Sequence, residues 1–180
     1  MKNPRLVKPS IEYMESYIAA CREYAKAGLN IYDGFHGENP TPGSINNLLK
    51  RYENESRGIE LPEGWVPCST FWLVDEGEYI GAGNIRHALT EPLKKFGGHI
   101  GYEIRPSKWE QGYGALQLKL LLAEAAKLGI KNALITCSTG NAASIRVIEK
   151  NGGILIDCIN NIIDGRERPT FRYRIDTPTL

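Results

Sequence analysis

A chain of 180 residues with 42% apolar and 24% charged side chains can bury a real core and is not composed like a disordered segment. Twenty-two basic against 21 acidic residues leave a formal charge of +1, which supplies neither a long nucleic-acid footprint nor an electrostatic membrane anchor. The opening MKNPRLVKPS has no apolar h-region, and no run approaches the ~18 apolar residues of a membrane span. One cytoplasmic domain over 1–180 is expected, with neither nucleic acid nor membrane as partner.

In chain order, Arg5-Leu6-Val7 reads as a short strand stopped by Pro9. Ser10 is placed to cap a helix in which Ile11, Met14, Ile18, Cys21 and Ala25 keep an i, i+3, i+4 rhythm, and Gly28 ends it. The glycines and prolines of 29–43 make a loop, after which Ser44 is expected to cap a second helix carrying Ile45, Leu48, Leu49 and Tyr52 on one face. Residues 56–68 are irregular. Ser69–Asp75 and Glu78–His87 then read as strands joined by a Glu76-Gly77 turn.

A strand at His99–Arg105 leads to a helix from about Gln111 to Leu128, a buried strand at Asn132–Cys137 and a helix over about Ala142–Lys150. A final hairpin, Ile154–Ile163 and Thr170–Ile175, turns at Asp164-Gly165. The order implies an α/β (α+β) fold with a mixed, mainly antiparallel sheet and helices on both faces. The cysteines (Cys21, Cys68, Cys137, Cys158) lie far apart without metal-ligand spacing, so they are expected as small buried hydrophobes and no metal is expected.

Chemistry concentrates at Ile100–Leu122, IGYEIRPSKWEQGYGALQLKLLL. A strand feeding a glycine-bearing helix start holds anions, because free N–H groups and the positive helix end point the same way. No GxxxxGK followed by Ser or Thr exists here, which removes a P-loop. Gly112 and Gly114 supply two glycines of a dinucleotide fingerprint, but Gln117 stands at the third, and no acidic residue follows within Lys131–Leu134, the ~20-residue spacing of a ribose partner.

The span Trp109-Glu110-Gln111-Gly112-Tyr113-Gly114 resembles the acetyl-coenzyme A turn of the GCN5-related N-acetyltransferases, Gln/Arg-x-x-Gly-x-Gly/Ala. It is similar to the ribosomal-protein-acetylating branch, where Trp-Gly-x-Gly-Tyr-Ala is common; Trp109 and Glu110 depart from the respective patterns. Asn141 to Gly152 resembles the branch's Asn-x-x-Ser-x-x-Val-x-Glu-Lys-x-Gly-Phe signature, with Gly153 where Phe is usual. LPEGWVP, FWLVD, IRH, GGHIGYEIRP and VIEKNGG resemble a bacterial group of predicted acetyltransferases. The resemblance covers most of Arg5–Tyr173.

The resemblance implies acetyl transfer from acetyl-coenzyme A to a primary amine by direct attack in a ternary complex. It places the pyrophosphate on the N–H groups of Gln111, Gly112, Tyr113, Gly114 and Ala115, and the pantetheine arm on backbone around Tyr102 and Ile104. Asn141 is expected both to cap its helix and to contact the cofactor. Ser144 matches the serine that serves the leaving thiolate in the ribosomal branch, since Ile148 stands where many relatives have a tyrosine. Glu103 is the first choice of base, with His99, His87, Tyr102 and a water chain behind it. Asp33, Phe35, His36, Glu38 and Trp65 lie in loops placed to roof the acceptor, and an acidic pair there suits a cationic amine. The acceptor itself, a small molecule or a protein, stays open, as does a homodimer paired through the late strands. Two other readings stay open too: a non-catalytic acyl-coenzyme A sensor, and transfer of a longer acyl group.

Overall fold

The computed structural model describes residues 1–29, 40–163 and 165–179. Strand β1 (Arg5–Val7) precedes helix α1 (Met14–Lys26), which is entered through a single 3-10 turn at Ile11–Tyr13 capped by Ser10. Helix α2 (Pro42–Arg57) starts earlier than the sequence suggests. Thr41, not Ser44, is its N-cap: Thr41 Oγ1 accepts from Ser44 N–H at 3.2 Å, and Thr41 N–H donates to Ser44 Oγ at 2.8 Å. This reciprocal pair, with Pro42 preset for the first turn, outcompetes a start at Ser44.

Strands β2 (Cys68–Asp75) and β3 (Glu78–Arg86) form the expected hairpin, with Glu76 and Gly77 both at positive φ. After the short helix α3 (Glu91–Lys95) and strand β4 (Ile100–Ile104), the order β1-β2-β3-β4 completes a four-stranded antiparallel sheet. Helix α4 (Tyr113–Lys127), strand β5 (Asn132–Ser138), helix α5 (Ala142–Lys150) and strands β6 (Ile154–Ile163) and β7 (Arg166–Asp176) follow, and β5-β7-β6 make a second antiparallel sheet.

Every residue of β2 is buried because both faces of the first sheet are covered. On one face Trp72, Val74 and Ala82 pack with α1 and α2, where Trp72 stacks on Tyr17 at 4.8 Å. On the other, Phe71, Ile85 and Ile100 share a core with Leu118 and Leu121 of α4 and with Ala133 and Tyr173 of the second sheet. Helices α4 and α5 therefore lie on one side of the whole molecule. They touch closely: Asn151 Nδ2 donates to Ala115 O at 3.1 Å and Val147 O at 2.8 Å.

The two sheets meet where His99 lies beside Leu134. His99 N–H donates to Leu134 O at 2.7 Å, Leu134 N–H donates to His99 Nδ1 at 2.9 Å, and Gly97 N–H donates to Thr136 Oγ1 at 2.9 Å. Beyond this joint β4 and β5 belong to different sheets, each an edge strand. Among the described residues no helix is long and apolar enough to cross a membrane.

Candidate active site

The glycine turn opens α4 as an anion cradle needs. The helix begins at Tyr113, two residues later than expected, because Glu110 and Gly112 both take positive φ, 59° and 85°. Gly112 is the N-cap and carries no side-chain cap, and the first backbone bond back to it comes from Leu116. The N–H groups of Tyr113, Gly114 and Ala115 precede that bond and have no intrahelical acceptor. A Cβ on Gly114 would lie 3.2 Å from Val147 Cγ2, so glycine here lets α5 close over the cradle. Gln111 is exposed and turned back, its Nε2 donating to Ser107 O at 3.0 Å. The Tyr113 phenol points away from the cradle and donates to Asp75 Oδ2 at 2.7 Å, so its side chain anchors the helix start to the end of β2. Glu110, which departs from the family pattern, is exposed.

Strand β4 leads into this turn with one edge uncovered. Arg105 N–H donates to Ile80 O, and Arg86 N–H donates to His99 O, so the odd positions of β4 face β3. By alternation the N–H and C=O groups of Tyr102 and Ile104 face the other way, towards the gap between the sheets. The Ile104 carbonyl is taken by the indole of Trp109, whose Nε1 donates to it at 2.6 Å. That contact, missed in the sequence, ties the end of β4 to the glycine turn and gives Trp109 a structural role of its own.

Tyr102 and Ser144 meet across the gap. Tyr102 Oη lies 2.8 Å from Ser144 Oγ and 3.4 Å from Ser144 O. Burial pushes the Tyr102 phenol up to about 12, partly opposed by the Ser144 bond. Asn141 caps α5 as expected: its Oδ1 accepts from Ser144 N–H at 3.0 Å. Ile148 is fully buried, and a Cβ at Gly153 would lie 2.4 Å from its Cγ2. The two departures at 148 and 153 are thus one packing solution, in which the isoleucine fills space that a side chain at 153 would need.

Glu103 points to the opposite face of β4, paired with Ala82 beneath α1. Burial first, and the Glu103 charge second, raise the phenols of Tyr24 and Tyr79 far above the ordinary tyrosine range. The Tyr24 and Tyr79 hydroxyls and Trp72 Nε1 are buried without hydrogen-bond partners among the described residues. Next along the chain, the buried Arg105 reaches α1: its Nη2 pairs with Glu23 Oε1, its Nε donates to Glu23 Oε2 at 3.2 Å, and its Nη1 donates to Glu78 Oε1 at 3.1 Å. Burial raises Glu23, but the bonds from Arg105 and Ser107 outweigh it and hold the carboxyl below its usual range.

The other candidates have structural work. His99 is the joint between the sheets, and His87 Nε2 lies 2.9 Å from Ser69 Oγ; burial lowers both imidazoles. Burial raises the Cys137 thiol, which makes it a poor nucleophile. Cys21 and Cys68 are buried like Cys137, whereas Cys158 is exposed on β6, against the expectation for it. Trp65 is 55% exposed, with its N–H held by Pro62 O. Asp33, Phe35, His36 and Glu38 lie outside the described residues. No metal-ligating cluster occurs among the described residues.

A strand with an open edge, an uncapped glycine helix start and a following capped helix make up the candidate site, and comparison with known proteins gives the family. The acetyltransferase (GNAT) domain model matches residues 10–154, and the chain belongs to that family. It is an acetyl-coenzyme A-dependent N-acetyltransferase with acetyl-coenzyme A as acyl donor. Among solved structures it is similar to the microcin C7 self-immunity acetyltransferase MccE in complex with acetyl-CoA and AMP. That pair is 14% identical over 98% of this chain and 93% of that one, with a TM-score of 0.70. It is also similar to a Salmonella typhimurium acetyltransferase that modifies the N-terminal serine of ribosomal protein L7/L12, 19% identical over 98% and 96%, TM-score 0.67. A third, yncA from the same organism with its cofactor acetyl-CoA, is 14% identical over 99% and 95%, TM-score 0.63. Comparison by sequence with curated proteins found no match.

Proposed function

We propose that this acetyltransferase delivers the acetyl group to a primary amine by direct attack while both substrates are bound. One observation carries the reading: neighbouring residues of β4, beside the gap, face opposite sides of the sheet. Tyr102 meets Ser144 on the α4 and α5 side, and Glu103 faces α1 on the other. An acetyl thioester lying along the open β4 edge then has a hydroxyl on its sulfur side and a carboxylate on its acceptor side.

In this reading the N–H groups of Gln111 to Ala115 hold the pyrophosphate, an interaction that depends on backbone rather than side chains. Asn141 adds a contact beside its capping role. The pantetheine arm pairs with the edge at Tyr102 and Ile104. Tyr102 N–H faces that edge and is placed to steady the thioester oxygen as it gains charge. Glu103 takes a proton from the bound ammonium, whose reference pKa is near ~10.4 for a lysine-like amine, and so frees the neutral amine that attacks. The unpartnered hydroxyls of Tyr24 and Tyr79 beside it mark a place where an amine or a water would satisfy buried polar groups. The Ser144 hydroxyl donates a hydrogen bond to the departing sulfur. The raised Cys137 thiol speaks against an acetyl-cysteine intermediate.

The test is thiol release from acetyl-coenzyme A with a panel of amines: protein N-terminal peptides, lysine, polyamines, aminoglycosides and small metabolites. Products are checked for one added acetyl group, and longer acyl donors are run beside acetyl-coenzyme A. Intersecting initial-rate lines are expected. Binding of coenzyme A with no turnover on any amine would overturn the reading in favour of a sensor.

A further inference from the structure

We propose that the Tyr102 phenol is a positioning residue for the Ser144 hydroxyl, donating its hydrogen to Ser144 Oγ so that the serine's own hydrogen goes to the coenzyme A sulfur. The inference rests on the acetyl-transfer reading above and concerns how the leaving group is met.

Either hydroxyl can donate in the Tyr102–Ser144 bond, and the phenol is taken here as the donor. Tyr102 Oη is 2.8 Å from Ser144 Oγ and 3.4 Å from the Ser144 carbonyl oxygen. A carbonyl oxygen only accepts, so the phenol's single hydrogen lies toward the pair of Ser144 oxygens, of which Oγ is the nearer. The Ser144 backbone is held by its N–H bond to Asn141 Oδ1 in the first turn of α5, and the hydroxyl's rotamer is the one that meets the phenol. A hydroxyl that already accepts from the phenol keeps one hydrogen, and the remaining direction is the gap along the β4 edge. Burial keeps the phenol protonated through the working pH range, so the donor is never lost.

The arrangement also explains how the site works with isoleucine at 148. Ile148 is sealed in the core against Gly153, and no hydroxyl reaches the gap from that turn of α5. The phenol arrives instead from β4, through the serine. The step balances without a proton leaving Tyr102. The amine nitrogen bonds to the acetyl carbon, the carbon–sulfur bond breaks, and its electron pair stays on sulfur under the Ser144 hydrogen bond. The ammonium proton has by then passed through Glu103 to solvent, the proton shed by nitrogen as the new bond forms follows the same path, and the thiolate takes a proton from solvent on release.

The experiment is a double-mutant cycle on the full chain, Tyr102→Phe with Ser144→Ala, reading kcat, KM and coenzyme A affinity. Tyr102→Phe should lower kcat about tenfold, the worth of one neutral hydrogen bond, with coenzyme A affinity and KM for acetyl-coenzyme A within about twofold. Ser144→Ala should lower kcat about a hundredfold, and adding Tyr102→Phe to it should change nothing more. In Ser144→Thr, which keeps the hydroxyl, the Tyr102→Phe loss should return. A purely structural tyrosine would instead lower kcat by the same factor in every background. That outcome, or an unchanged or raised kcat in Tyr102→Phe alone, overturns the inference. Wild-type protein that binds coenzyme A but releases no thiol, with or without amine, overturns the acetyl-transfer reading and this one with it.

Discussion

The two sides of β4 are built from different materials. On the α4 and α5 side the site is mostly backbone: an uncapped helix start, a left-handed Gly112 and an open strand edge. On the α1 side it is side chains that depend on one another, with Glu103 among buried phenols and Arg105 locked to Glu23 and Glu78. In the proposed reading the first is the cofactor side, which should fail through local conformation, and the second the acceptor side, which should fail through broken partnerships. Substitutions on each side test whether the halves are separable.

The largest effect is expected from Arg105→Ala. Removing a buried guanidinium leaves Glu23 without its partner, and the loss should be about 3–5 kcal/mol of unfolding free energy in urea titration. Under conditions where it stays folded, coenzyme A affinity should hold within about twofold; a large loss of affinity would show that the halves are coupled. Next comes Glu103→Gln, expected to lower kcat about a hundredfold with coenzyme A affinity intact. Gly112→Ala should give the reverse pattern. A side chain at φ 85° costs about 1–2 kcal/mol, so coenzyme A affinity should fall about tenfold while saturated kcat changes little.

The smallest effect concerns the joint. Burial, then the Arg86 charge, depress the His99 pKa in the folded state. As pH falls below about 6.5 the unfolded chain takes up that proton first, so stability present above this pH is lost towards the folded value. His87, depressed by burial and by Lys8, adds in the same direction. The melting temperature should drop between about pH 7 and 5. His99→Asn, which keeps an acceptor for Leu134 N–H but cannot titrate, should flatten part of that drop. An unchanged profile in the variant would remove His99 from the account.

What was legible in the sequence follows the same division. Gly112 and Gly114 announce the uncapped helix start because a backbone conformation is written in a few consecutive residues. The Asn141 cap and the α5 span are local in the same way. The Trp109 bond to Ile104 O is not legible there, because a motif compares the indole by type and carries no sign of which carbonyl it reaches. The Tyr102 and Ser144 contact joins residues 42 apart, and Arg105 reaches Glu23 across 82. No periodicity reports such pairs. The start of α2 was misplaced for a smaller reason: Thr41 and Ser44 both suit a cap, and only their reciprocal bonding decides between them.

The His99–Leu134 joint also sets a mechanical advantage. Ile104 lies five residues along β4 from His99, a span of about 16 Å at ~3.3 Å per residue. A rotation of about 5° at the joint would carry that end of the strand some ~1.4 Å, comparable to the difference between a hydrogen bond and a broken one. Tyr102 sits about 10 Å from the pivot by the same measure, so its clasp on Ser144 works at a long lever arm. The Tyr102–Ser144 contact thus lies where a small rotation at the joint gives one of its larger displacements.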